Sequence, residues 1–151
     1  MLKTIAFIGS MLLASTASAL EITPFNDYWD IGKSVYGNCA VLTSYGDGSL
    51  AFEMNNDQIT VYHYHDAGFR LNNLVVRVYM TFEPFGATLN YQMVHPSGQT
   101  TAGMAVLDPT FLELAFNNEF MIYENSQTDF TIEINLEGFA EAMAIAYNCN
   151  K

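Results

Sequence analysis

The sequence predicts a mainly β domain, an antiparallel β-sandwich or barrel-like fold with two short helices, the second at the C-terminus. Three observations carry this. Apolar and polar residues alternate with period two over several stretches, as strands with one buried face require. Turn-forming residues separate these stretches at intervals of about ten residues. Helical spacing of apolar residues is confined to two places late in the chain.

The elements follow in order. The first strand candidates are Tyr28–Ile31 and Cys39–Tyr45. Tyr45-Gly46-Asp47-Gly48-Ser49 separates the latter from the next, with glycines that accept the positive φ of a tight hairpin. Next, Leu50, Phe52 and Met54 share one face, with Ala51 and Glu53 on the other. Asn55-Asn56-Asp57 is a second turn before the strand Gln58–His65. Leu74, Val76, Val78, Met80 and Phe82 alternate with Val75, Arg77, Tyr79 and Thr81. Strands at Ala87–Val94 and Thr101–Val106 flank the turn His95-Pro96-Ser97-Gly98.

Asp108-Pro109 then reads as an N-cap followed by proline at the first helical position, where its missing N–H does no harm. That helix runs to about Asn117, with Leu112 and Phe116 four apart on one face. Strands at Glu119–Tyr123 and Phe130–Leu136 follow, the latter turning Phe130, Ile132, Ile134 and Leu136 inward and Thr131, Glu133 and Asn135 outward. The last helix begins near Gly138, and Phe139, Ala142, Met143 and Ala146 recur along one face. Phe52, Phe82, Phe130 and Phe139 are core positions, and Trp29 is a core plug near the start of the domain.

The N-terminus belongs to a different category. Lys3 precedes the apolar stretch Ile5–Ala14, and Ala17-Ser18-Ala19 supplies the small-x-small pattern of signal-peptide cleavage. Residues 1–19 read as an export signal cut after Ala19, leaving one domain over 20–151 and a protein that is periplasmic or secreted. No later run of apolar residues has the length of a transmembrane helix.

Export decides how the two cysteines are read. In an oxidising compartment Cys39 and Cys149 have one intramolecular pairing, whereas a C-x-x-C redox arrangement is absent. A loop of that length contributes about 4–5 kcal/mol in the chain-entropy account.

Charge removes whole classes of partner. Lys and Arg number 5 against 16 Asp and Glu, a net charge of −11. Loss of Lys3 leaves four bases against the same 16 acids, or −12. Nucleic acid and anionic membrane surfaces are disfavoured, since so few cations cannot build a phosphate-binding stripe.

At Leu136-Glu137-Gly138-Phe139-Ala140-Glu141-Ala142 the chain resembles the close of the invasion-associated locus B family of bacterial secreted proteins. The shared pattern is a strand ending in L-x-G-F-x-x-A that enters a short helix, and the likeness covers roughly the last third of the chain. Small proteobacterial periplasmic proteins, including accessories of type VI secretion, have similar endings. This chain lacks the internal cysteine arrangement of the invasion-associated family and closes on a cysteine instead. The resemblance implies an exported β-sandwich-like domain with envelope or host-association roles. It transfers no catalytic residue, and gives Gly138 and Phe139 the roles of turn and core anchor.

The densest chemistry is Tyr62-His63-Tyr64-His65-Asp66. Two histidines two apart on a strand project to one face, where with Asp66 or His95 they suit zinc or copper(II). The alternative is that they are the strand's solvated end. Tyr62, Tyr64 and Tyr79 fall on outward parity, where tyrosines serve protein or carbohydrate binding unless a second layer covers them. The carboxylates Glu53, Glu119, Glu124, Glu133, Glu137 and Glu141 read as solvated rather than as a catalytic pair. No G-x-S-x-G elbow or phosphate-binding loop is present, and Asn55-Asn56-Asp57 does not have EF-hand spacing. The leading reading is a non-catalytic envelope or secreted protein that binds a protein or other partner through an aromatic sheet face. A metal-binding protein using the H-x-H strand comes second, a hydrolase third.

Overall fold

The computed structural model describes residues 22–34, 36–66, 76–94, 102–126 and 128–151. The signal segment with its cleavage point, Leu74, the turn at 95–98 with His95, and the side chain of Phe130 lie outside the described residues.

The strands are β1 (Thr23–Pro24), β2 (Asp30–Lys33), β3 (Cys39–Tyr45), β4 (Gly48–Asn55), β5 (Gln58–His65), β6 (Val76–Glu83), β7 (Ala87–Met93), β8 (Ala102–Leu107), β9 (Phe120–Asn125) and β10 (Thr128–Asn135). Helix α1 spans Pro109–Phe116 and α2 spans Phe139–Cys149. A large sheet has the order β1-β2-β3-β4-β5-β8 and a small sheet the order β10-β9-β6-β7. All pairings are antiparallel, and an isolated bridge, Val94↔Met104, joins the end of β7 to β8. The sheets do not close into a barrel. The fold is a sandwich.

The hairpins show why the turn residues are where they are. Asn55 pairs with Gln58, so Asn56 and Asp57 form a two-residue turn, with φ of 49° and 61°. Positive φ at both positions matches the right-handed twist of the flanking strands, and Asn and Asp tolerate it better than most residues. Gly48 answers a different need. It pairs with Tyr45 across the β3–β4 hairpin, and an added methyl would collide with the Tyr64 carbonyl oxygen and the Tyr45 hydroxyl.

The inward rows of the two sheets form the core: Val41, Leu50, Phe52, Ile59 and Val61 from the large sheet, Val78, Met80, Phe82 and Met121 from the small one. Trp29 is buried among them as expected, but it precedes β2, which lies two residues later than the sequence pattern suggested. Asn26 explains the shift, because its Oδ1 accepts the N–H groups of Tyr28 and Trp29 and holds that segment as a turn.

Helix α1 is capped as its sequence dictates, with Asp108 Oδ1 accepting the Thr110 N–H at 2.9 Å. Its buried face differs from expectation. Phe111 and Ala115 are buried, Leu112 is partly buried, and Phe116 is 45% exposed. The helix is rotated so that Phe111 stacks on Phe52, ring centroids 5.4 Å apart and planes 9° from parallel. Both helical stripes are apolar, and the aromatic partner selects between them.

Helix α2 buries Phe139, Ala142, Met143 and Ala146, the set its spacing predicts. Gly138 enters it with φ of 78°, a left-handed conformation that favours glycine. Asn26 Nδ2 donates to the adjacent Glu137 carbonyl at 2.9 Å, leaving no room for a side chain at 138. Phe139 then reaches Trp29 at 4.8 Å and Phe52 at 5.4 Å. The L-x-G-F motif is thus a clasped turn followed by a core anchor. At the far end Cys149 is bonded to Cys39, their Cα atoms 6.0 Å apart. Asn150 reinforces the join, accepting the Cys39 N–H at 2.6 Å and donating to the carbonyls of Cys39 and Met54.

Candidate functional site: a buried imidazole, a tyrosine face and a cleft

The H-x-H strand does not end in solvent. β5 turns Ile59, Val61, His63 and His65 inward, so His63 is fully buried and His65 is 8% exposed. The parity that puts the strand's first half in the core continues to its end, because the small sheet covers it.

His63 lies between two phenols from opposite sheets. Its Nε2 meets the hydroxyl of Tyr45 on β3, and its Nδ1 meets the hydroxyl of Tyr123 on β9 at 2.9 Å. The Tyr45 hydroxyl also donates to the Tyr64 carbonyl at 3.3 Å. A consistent proton arrangement follows: Tyr45 donates to Tyr64 and accepts from His63 Nε2–H, while Tyr123 donates to Nδ1. Burial, followed by the charges of Asp47 and Asp66, pushes the Tyr45 phenol well above its ordinary range. Burial does the same to Tyr123, and the neighbouring Tyr45 adds to it. Both phenols are therefore held neutral, as hydrogen-bonding groups.

Among the described residues the expected metal ligands are not gathered into one set. The His63 and His65 rings lie 6.3 Å apart, Asp66 is exposed, and a metal at His63 would have to displace a tyrosine hydroxyl. Among the described residues no group of three or more His, Cys, Asp or Glu is placed to hold a metal ion.

The outward tyrosines divide between two surfaces. Tyr62 and Tyr64 lie on the outer face of the large sheet, while Tyr79 lies on the outer face of the small one. The residue joining the first pair is Tyr36, in the loop before β3, which is 60% exposed with its ring centroid 5.9 Å from that of Tyr62. Beneath them Ala40, Leu42 and Ala51 form a small apolar cluster, with Ile22 and Tyr62 against it. Glu53 belongs to this face but is not solvated as expected: it is 6% exposed and accepts from Asn38 Nδ2 at 2.8 Å. Burial, then the charge of Glu53, raises the Tyr62 phenol.

A cleft of about 480 Å³ opens at the seam between the sheets, lined by Tyr28, the β3 end at Thr43–Gly46, Phe120, and the β10 stretch Ile132–Asn135. Tyr45 is common to cleft and buried chain, one wall of the former and one end of the latter.

Sequence reasoning missed Tyr45, Tyr123 and Tyr36. Tyr123 had the inward parity of Met121, but nothing in a sequence says which residues of two sheets meet. The signal for Tyr45 was Gly48, whose bare backbone makes space for a ring from the opposite strand.

No family model and no curated protein sequence matches the chain. Its structure is similar to the crystal structure of invasion associated protein B from Bartonella henselae, with a TM-score of 0.58 over 85% of this chain and 96% of that one, at 12% sequence identity. The two share a fold. The resemblance read from residues 136–142 thus extends to the architecture of the domain.

Proposed function

We propose that this protein is exported and acts by binding rather than catalysis, with the outer face of the large sheet meeting a protein partner. The observation that carries this reading is the pairing of Tyr36 with Tyr62 on a sheet face that also bears Tyr64. Tyrosine offers large contact area at small entropic cost, which is why it is enriched where proteins meet. The similarity in fold to an invasion associated protein and the Cys39–Cys149 disulfide support a secreted or envelope location. The buried imidazole supports a binding role over an acid–base one, since both ring nitrogens already bond to phenols inside the core.

The test has two parts. Cell fractionation should find the chain, shortened at its N-terminus and oxidised, outside the cytoplasm. A photo-crosslinking phenylalanine analogue at position 36 should then give a discrete adduct in envelope extracts, and the same group at position 79, on the opposite surface, should not. Equal labelling from both positions, or none from either, would remove the tyrosine face from the mechanism.

A further inference from the structure

The cleft at the seam has a property separate from the tyrosine face: two strand edges border it. β3 pairs with β2 only over Cys39–Leu42, so beyond Leu42 no described strand lies on that side. In the two-residue β3–β4 hairpin, Tyr45 and Gly48 form the closing pair, which turns the main-chain N–H and C=O of Ser44 away from β4 and toward that open side. β10 is the outer strand of the small sheet. The Leu136 N–H bonds to the Glu119 carbonyl, so alternation directs the main-chain groups of Ile134 and Ile132 toward β9 and those of Glu133 outward. Both edges line the same cleft, beside Tyr28, a residue 43% exposed, and the partly buried Ile132 and Phe120.

We infer that this cleft receives an extended, basic segment of a partner protein, which adds as a strand along the edge of β10 that no described strand covers. Main-chain bonds from Glu133 supply the pairing, and alternate side chains of the incoming strand enter the cleft against Tyr28, Phe120 and Ile132. Charge selects the occupant. Among the described residues lining the cleft the one charged side chain is Glu133, which is exposed, and the exposed Asp27 and Asp47 adjoin Tyr28 and Gly46 in the chain. The whole chain carries −11. Lysine or arginine on the incoming strand meets these carboxylates, whereas a second copy of this chain would bring its own Glu133 and the same excess of acid. The edge is thereby guarded against self-pairing and open to a basic strand.

The probe is a fluorescein-labelled octapeptide of alternating valine and lysine, titrated with the oxidised protein and followed by polarisation. It should bind at least ten-fold more tightly than the same peptide with glutamate in place of lysine. Methylating alternate backbone nitrogens of the lysine peptide should cost a further ten-fold, which separates strand pairing from charge attraction. Glu133→Lys should reverse the order of the two peptides, and Glu133→Pro, which removes the outward N–H, should weaken binding of the lysine peptide ten-fold. Circular dichroism verifies that each variant is folded, and either variant alone suffices. Equal binding of both peptides, indifference to backbone methylation, or absence of binding overturns the inference. So does a concentration-dependent dimer abolished by Glu133→Pro, which would assign the edge to a second copy. None of these outcomes bears on labelling from position 36, so the two proposals fail separately.

Discussion

Between the two sheets lie two regions built on opposite principles. One is a stack of aromatic rings: Phe111 between Phe52 and Phe82, with Phe139 against Phe52, Phe111 and Trp29. It draws on both sheets and both helices, and needs only shape and apolar area. The other is the Tyr45–His63–Tyr123 chain, where a core position is filled by groups that must each find a hydrogen-bonding partner. The first region tolerates exchange among residues of similar volume. The second is specified atom by atom, because a buried imidazole missing one partner costs more than the same volume of hydrocarbon. Stability is concentrated in the one, and the register between sheets is enforced by the other.

That contrast is open to attack, starting with what locks the aromatic region in place. Cys39 and Cys149 are 110 residues apart in the chain. Replacing both with serine should cost about 4–5 kcal/mol on the chain-entropy account, read as a fall in the urea midpoint. A loss below about 1 kcal/mol would mean that Asn150 and the buried face of α2 hold the helix without the covalent bond.

Phe111→Ala comes next. It removes the ring shared by three aromatic neighbours, and should destabilise by about 3–5 kcal/mol in the same titration. Phe116→Ala, about 100° round the helix from the buried Ala115 and 45% exposed, should cost a good deal less. Equal losses would show that the helix is not held by the Phe52 stack.

These sites also show how far the amino-acid pattern reaches. Strands β3 and β5 begin and end where alternation and turn residues put them, and the buried set of α2 is the one its spacing selects. In α2 the helical spacing picks out one buried stripe, so local pattern and tertiary packing agree. α1 has two apolar stripes, and Phe52 chooses Phe111 over Leu112 and Phe116. Glu53 and His63 are harder still. Each has the parity of its strand, but burial depends on what a distant strand or loop lays over it, and no local pattern contains that. For the same reason three tyrosines of outward parity looked like one surface and occupy two. The family likeness at Gly138 was legible because a clasped turn constrains consecutive residues.

Tyr123→Phe tests the polar region by a single atom. It deletes the hydroxyl on His63 Nδ1 and leaves a buried nitrogen without that partner, which should cost about 1–3 kcal/mol with little change of shape. His63→Leu in the same background should recover part of the loss, since an apolar group has no unmet bond. If Tyr123→Phe is neutral, the chain is ordinary packing and the two regions are one.

Alkaline titration probes the same contrast without a mutation. Burial raises the folded-state pKa of Tyr123 far above its ordinary 10.0, whereas in the unfolded chain the phenol ionises near that value. A raised pKa means the folded state holds its proton more tightly, so this contribution is fully present below pH 10 and drains away above it. The slope is about 1.4 kcal/mol per pH unit for one such group. Tyr45 and Tyr62 shift in the same direction and add to it, over a narrower pH range because both are partly open to solvent. The urea midpoint should therefore be flat from pH 7 to 9 and fall beyond pH 10. Tyrosinate absorbance from these buried phenols should rise only together with the loss of β-sheet ellipticity. In Tyr123→Phe the fall should be shallower by that single group's share, whereas Phe111→Ala should start from lower stability and keep the wild-type slope. A wild-type slope in Tyr123→Phe would show that its hydroxyl titrates alike in both states, and that the imidazole is not sealed between the sheets.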